Sequence, residues 1–254
     1  MLNCATLGLL ALTACLGDPD PSVRDKIAFE RFSTAFRGGA VSLETLTAVR
    51  NQLLRMMSLP DPLGFQRPFV ILTLAEVART DRVKPWMTDA DRDTLVTTAS
   101  QYLASITDYR AFDNKEGFRH GVAHAADLAM QLALNPATTR IQLDRLLAAV
   151  ARQVSPQADV AYYAGEPDRL ARPVVFIAQR RLHTDAEWKA WFESIMNPAP
   201  MSAWTSAFES GQGIKRRHNV RAFLLSVYAT ALTTEDAGIK LLLAPVRDAL
   251  KLVP

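Results

Sequence analysis

The chain has 254 residues, 49% of them apolar and 22% charged, which is enough to bury a sizeable core and too apolar for a disordered chain. A net charge of +3 is too slight to argue for a nucleic-acid surface. Glycine is scarce at 11 residues while Ala and Leu abound, a balance that favours helix over strand.

Residues 1–16 are apolar and hold both cysteines, Cys4 and Cys15. Two readings stand. The run is the first helix of a cytoplasmic protein, or Leu12-Thr-Ala-Cys15 is the cleavage box of a chain that is exported or lipid-anchored through Cys15. No Lys or Arg precedes the run, which favours the helix. The run is also short for a transmembrane span. No CxxC pair or Cys/His ligand spacing occurs, so neither a disulfide framework nor structural zinc is expected.

Asp20 is placed to cap a second helix with Pro21 at its first position, and Gly38-Gly39 stops it. Residues 42–58 read as the next helix, broken at Pro60 and Pro62. Residues 66–80 follow, and Thr88 caps a helix to about residue 106. Residues 117–134 read as one helix, apolar nearly all round and ended by Asn135-Pro136. Thr139 with Gln142, and Thr184 with Glu187, form capping boxes that open two more helices. Residues 168–182 lie between them. Further helices are expected at 203–210, 218–232 and 234–252. No stretch alternates with period two, so essentially no sheet is expected.

An arginine stands near the start of every second helix: Arg24, Arg67, Arg119, Arg172 and Arg221, about 50 residues apart. Helix-pair repeats of the HEAT and armadillo kind recur at roughly 40–47 residues, with insertions taken up in loops. The expected fold is therefore all-α: a single right-handed α-α superhelix of HEAT/armadillo-like pairs, about 11–12 helices in all. The pairs would span 1–40, 41–83, 84–136, 137–183 and 184–233, with 234–254 as a capping helix.

Several phrases carry a family resemblance: CLGDPDPSVRDKIAFE (15–30), RPFVILTLAEVARTDR (67–82), DYRAFDNKEGFRHGVAHAADL (108–128), GEPDRLARPV (165–174) and RRHNVRAFLL (216–225). Together they resemble a bacterial family known as domain-of-unknown-function family 2785. The resemblance runs from about residue 10 onward, and His-Gly-Val-Ala-His is its most specific part. It implies relatives without implying a chemistry.

The candidate site lies in the middle of the chain. At about 100° per residue, His120, His124, Asp127 and Gln131 would share one narrow polar stripe on the 117–134 helix. Two histidines at i and i+4 with an aspartate a turn later can hold a metal, so His120, His124 and Asp127 are the metal candidates. The expectation is nevertheless that they hydrogen-bond neighbouring helices, with a small-molecule or anion site as the first alternative and a metal site as the second. Glu116, Arg119, Glu166, Arg172 and His218 are the residues that could reach the same groove. The expectation for the arginines is a ladder with Asp25, Asp127, Glu166 and Asp168, because acidic residues accompany most of them. The alternative is an anion-binding edge lined by Arg67, Arg119, Arg172, Arg217 and Arg221.

Other motifs fail. Asp89-x-Asp91-x-Asp93 lacks the glycine and the glutamate of a calcium loop. No GxSxG, Walker or HExxH motif occurs, and no cofactor is expected. The basic run Lys215-Arg-Arg-His218 is too isolated for a nucleic-acid surface. The expectation is a non-enzymatic interaction module that takes a protein or a small anion on its concave face. The alternative is a metal- or ligand-binding, hydrolase-like enzyme centred on His120, His124 and Asp127.

Overall fold

The computed structural model describes residues 3–254. Within them the chain is mostly helical: α1 (Leu9–Leu12), α2 (Glu30–Gly38), α3 (Leu43–Met57), α4 (Gln66–Val83), α5 (Asp89–Ser105), α6 (Gly121–Leu134), α7 (Arg140–Val154), α8 (Glu166–Gln179), α9 (Asp185–Ile195), α10 (Gly211–Thr233), α11 (Ala237–Lys240) and α12 (Leu243–Leu252). A π-helical segment, Ser22–Phe29, runs straight into α2. The one sheet among the described residues is a two-stranded hairpin, β1 (Phe112–Asp113) against β2 (Gly117–Phe118).

The helices begin where side chains can satisfy their free N–H groups. Thr88, Thr139 and Thr184 each accept from the backbone three residues on, and Asp91, Gln142 and Glu187 reach back to complete the boxes. Ser42 and Ser210 cap α3 and α10 in the same way. The three aspartates of the apparent calcium loop are all occupied. Asp89 pairs with Arg92, Asp91 with Arg50, and Asp93 with Arg145 and Gln142.

Packing produces two rows. α2, α4, α6, α8 and α10 lie side by side in series. α3, α5, α7 and α9 back them, and α12 rests on α9 and α10. Between the rows, Leu74, Leu95, Leu128, Leu146, Leu170 and Phe223 are completely enclosed. Each such side chain contributes about 1.5–3 kcal/mol from burial alone. Trp188 and Phe192 join this core, while Trp191 packs edge-on against both.

Four expectations need correction. The helix expected over 117–134 begins only at Gly121, because the hairpin takes the residues before it. The helix expected at 218 begins at Gly211. Ser210 caps it, and Gly213 lets it pass Ala207, whose carbonyl oxygen would lie 2.5 Å from an added Cβ. The stretch 234–252 is two helices, because Asp236 caps a separate short turn through the N–H groups of Gly238 and Ile239. Cys4 and Cys15 are joined in a disulfide, against the expectation from spacing. Leu12, Thr13, Cys15 and Leu16 are buried, whereas Leu10 is 47% exposed. No helix among the described residues is long and apolar enough to cross a membrane.

Candidate functional site

The site is assembled at the N-terminal end of α6 by a buried arginine. Arg24 is completely enclosed. Its guanidinium lies 4.4 Å from the Phe65 ring centre and 4.7 Å from that of Phe69. It pairs with Asp25 and donates to the carbonyl oxygens of Asp18 and of Glu116 in the hairpin turn. Arg119 also lies over Phe65, at 4.0 Å, and donates to Leu63 O and to the Glu116 carboxylate. Two guanidiniums on one ring thus fasten the hairpin to the start of α4. Gly117, at φ 73°, makes the close approach that this needs. A Cβ there would stand 3.0 Å from Pro21 and 3.1 Å from Arg24 Nη2.

His120 follows directly and is the N-cap of α6, in the left-handed region at φ 58°, ψ 36°. Such a conformation costs a non-glycine residue about 1–2 kcal/mol, and His is among the types that tolerate it. The consequence is geometric: His120 leaves the stripe that helical periodicity assigned to it. Its ring stacks on Phe118 at 5.2 Å and meets His124 edge-on at 5.5 Å. Nε2 makes no hydrogen bond and stands 3.6 Å from Glu166 Oε1. Burial first, and the charge of Arg169 second, bring the His120 pKa down to about 4 against a weaker opposing pull from the Ala164 backbone. Burial lifts Glu166 above its usual value, although its carboxylate accepts from the Ala164 N–H. A neutral imidazole therefore faces a carboxyl that holds its proton more tightly than usual.

The rest of the stripe bonds to neighbouring helices. Nδ1 of His124 donates to the Pro68 carbonyl at 3.1 Å. Burial, His120 and Arg169 together hold His124 well below the ordinary histidine range. Asp127 pairs with Arg169 and stands 3.9 Å from Arg172. Its pKa is raised all the same, because burial outweighs both guanidiniums. Gln131 accepts from Arg82 at 3.0 Å. The same construction recurs at the other seams of the row, through Arg37–Glu76 between α2 and α4 and Ser226–Asp168 between α10 and α8.

Residues 55–229 match the family described as "Protein of unknown function (DUF2785)". The chain belongs to that family. Neither the curated proteins nor the solved structures gave a match.

In this DUF2785 protein the hairpin, α6 and α8 fall inside the matched span, whereas Arg24, which clamps the hairpin, precedes it. Of the sequence candidates, His120, His124, Asp127, Glu166 and Arg172 come together. Glu116 and Arg119 pair with each other at the hairpin. Three candidates stay apart. Arg217 lies over Phe208, His218 Nε2 donates to Tyr162 O at 2.9 Å, and Arg221 donates to Val253 O at 2.7 Å. The anticipated acidic ladder is present in part, with Arg24 on Asp25 and Arg172 near Asp127, while Arg67 binds Leu59 O and Arg119 binds Leu63 O as well as Glu116. Arginine's fork suits carbonyl-rich loop ends as well as carboxylates. Among the described residues no three His, Cys, Asp or Glu side chains gather where they could hold a metal ion.

Sequence reasoning missed Arg169, Phe112, Phe118 and Tyr163. Tyr163 ties its loop to the hairpin through the Phe112 backbone, with its hydroxyl donating to Phe112 O at 3.1 Å. Phe112 is 45% exposed, Phe118 39% and Tyr163 70%. A signal for the hairpin did exist: Phe112 and Phe118 flank Asp-Asn-Lys-Glu-Gly, a run rich in turn formers.

Proposed function

We propose that this chain is a binding protein of HEAT-like construction, and that it takes an acidic segment of a protein partner at the middle of its inner row. The series packing of α2, α4, α6, α8 and α10, with the other helices behind, supports a superhelix of pairs over 1–40, 41–83, 84–136, 137–183 and 184–233, capped by 234–254. One observation carries the location: three exposed aromatic side chains gather at the hairpin, Phe112 against Phe118 at 4.8 Å and Tyr163 bonded to the Phe112 backbone. Phe118 stacks on His120, His120 feels the charge of Arg169, and Asp127 lies between Arg169 and half-exposed Arg172. Aromatic residues and arginine are the types that dominate binding energy at protein interfaces. His124, Asp127 and Gln131 are already bonded inside the chain, which favours recognition over turnover.

The test is a photo-crosslinking residue at position 118, expressed in the native cell. A discrete adduct is expected, lost with Arg172→Glu and absent when the probe sits at the exposed position 141. No adduct, or the same adduct from both positions, would overturn the proposal.

A second reading rests on the His120–Glu166 pair. A left-handed histidine with an unpartnered Nε2 beside a carboxyl of raised pKa has the form of an acid–base pair, and so fits a ligand-binding enzyme. A thermal-shift screen against divalent metals and phosphorylated metabolites tests it. A shift that His120→Asn removes would support it, and no shift would count against it.

A further inference from the structure

A cavity of about 430 Å³, separate from the His120 patch, lies between the α2–α3 turn and the C-terminal end of α4. Small-molecule sites run from roughly 300 to 1,000 Å³. Phe36 and Leu46, both buried, form its floor. Leu43, Val83 and Trp86 form its walls, and Leu43 and Val83 are more than half exposed. No single apolar side chain here is unusual, but together they make a concave apolar surface.

Its polar lining has one sign. Arg37, Arg79 and Lys84 contribute to it, and no Asp or Glu does. Arg37 is engaged by Glu76 at 3.0 Å. Arg79 differs: among the described residues its side chain makes no hydrogen bond or ion pair. Arg82, one turn on, adds to the positive field, and its own pKa is lowered by burial and by Arg79. The C-terminal ends of α2 and α4 oppose this, with about half a negative charge each. The Thr80 carbonyl is already taken by the Lys84 N–H at 2.9 Å, and with Arg37 offset by Glu76 the two whole charges of Arg79 and Lys84 still outweigh the two helix ends.

We propose that this cavity binds a small amphipathic carboxylate, with an aliphatic chain against Phe36, Leu46 and Trp86 and the carboxylate on Arg79 and Lys84. An apolar floor with an unpaired guanidinium at the side is what such a molecule needs. Burying the chain supplies affinity, and the guanidinium supplies selection for the anion.

Isothermal titration with decanoate, decanol and acetate tests this, all below micellar concentrations. Decanoate is expected to bind the full chain one to one, and decanol about tenfold more weakly, the share of a charge-assisted hydrogen bond. Acetate is expected to give no heat. Arg79→Gln should bring decanoate to the level of decanol while leaving decanol unchanged. Val83→Trp, at an exposed wall position, should abolish both. Lys84→Gln serves in the same role should Arg79→Gln fail to fold. No decanoate binding to the wild type, equal binding of decanoate and decanol, or charge-removing variants that bind decanoate as the wild type does would each overturn the proposal.

Discussion

Nε2 of His120 stands 3.6 Å from Oε1 of Glu166, and the two side chains are only 7% and 4% exposed. Burial favours the uncharged form of each, and this has opposite consequences for stability. The folded pKa of His120, about 4, lies below its ordinary value of 6.5. As pH falls between those values the unfolded chain takes up a proton that the native state refuses. Stability is therefore lost, by about 3 kcal/mol for the complete traverse. His124, also lowered by burial, adds to the same limb. Glu166 acts the other way. Its folded pKa is raised above 4.5, so native protein gains a proton first and is stabilised as pH falls through that window. Urea unfolding from about pH 7.5 to 4 should show a shallower acid limb for His120→Asn and a steeper one for Glu166→Gln. Slopes equal to the wild type would mean that both groups are solvated in the folded protein.

Arg24 should be the most costly single arginine to remove. It has no exposed surface, it lies against two aromatic rings, and its donors serve Asp25 and the backbones of Asp18 and Glu116. Arg24→Met keeps some of the volume but leaves those acceptors and the Asp25 carboxylate without a partner. The expected loss is about 3–5 kcal/mol by urea titration. Arg24→Lys should recover less than half of it, because an ammonium cannot lie flat on Phe65 and reach all the acceptors. Full rescue by lysine would show that charge alone is required.

The Thr139–Gln142 and Thr184–Glu187 boxes were legible in the sequence because a cap depends only on residues three apart. All-α composition was legible for the same local reason. The local fold at His120 was not. Helical periodicity carries no information about a backbone turned left-handed at one residue, here His120. That conformation is imposed from far along the chain, by Arg24 binding Glu116 O and by the Arg119 and His120 N–H groups bonding to Ala111 and Arg110. The arginine spacing was visible, and so were Asp25 and Asp127 as partners of Arg24 and Arg172, but not the carbonyl partners of Arg67, Arg119 and Arg221. Carbonyl oxygens leave no mark on a sequence, so acidic residues were the natural expectation. Arg169 was passed over because Arg172, three residues away on α8, fits the spacing.

The Cys4–Cys15 bond closes a short loop, with a sequence separation of 11. Such closure contributes about 2–3 kcal/mol by restricting the unfolded chain. Reduction, or replacing both cysteines by alanine, should lower the melting temperature by several degrees. Disulfides persist in oxidising compartments. Alkylation of protein taken from its native cells at lysis is expected to find no free thiol. Two alkylated cysteines would place the chain in a reducing cytoplasm.

The Asp127–Arg169 pair should couple α6 to α8 more strongly than an ordinary surface pair. Asp127 is 11% exposed at its side chain and Arg169 34%, so water screens the contact only in part. Arg172, at 3.9 Å, adds attraction without a direct bond. Asp127→Ala leaves two neighbouring guanidiniums facing each other. Arg169→Ala leaves a carboxylate whose pKa burial already raises. Each single change should therefore cost more than the contact itself. A double-mutant cycle removes these penalties and is expected to give a coupling of about 1–2 kcal/mol. Lys189–Glu193, at 3.9 Å with both side chains mostly exposed, is the internal control and should give near zero. A coupling no larger than the control would mean that apolar packing alone holds α6 against α8. The patch with Arg172 would then have no fixed geometry to offer a partner.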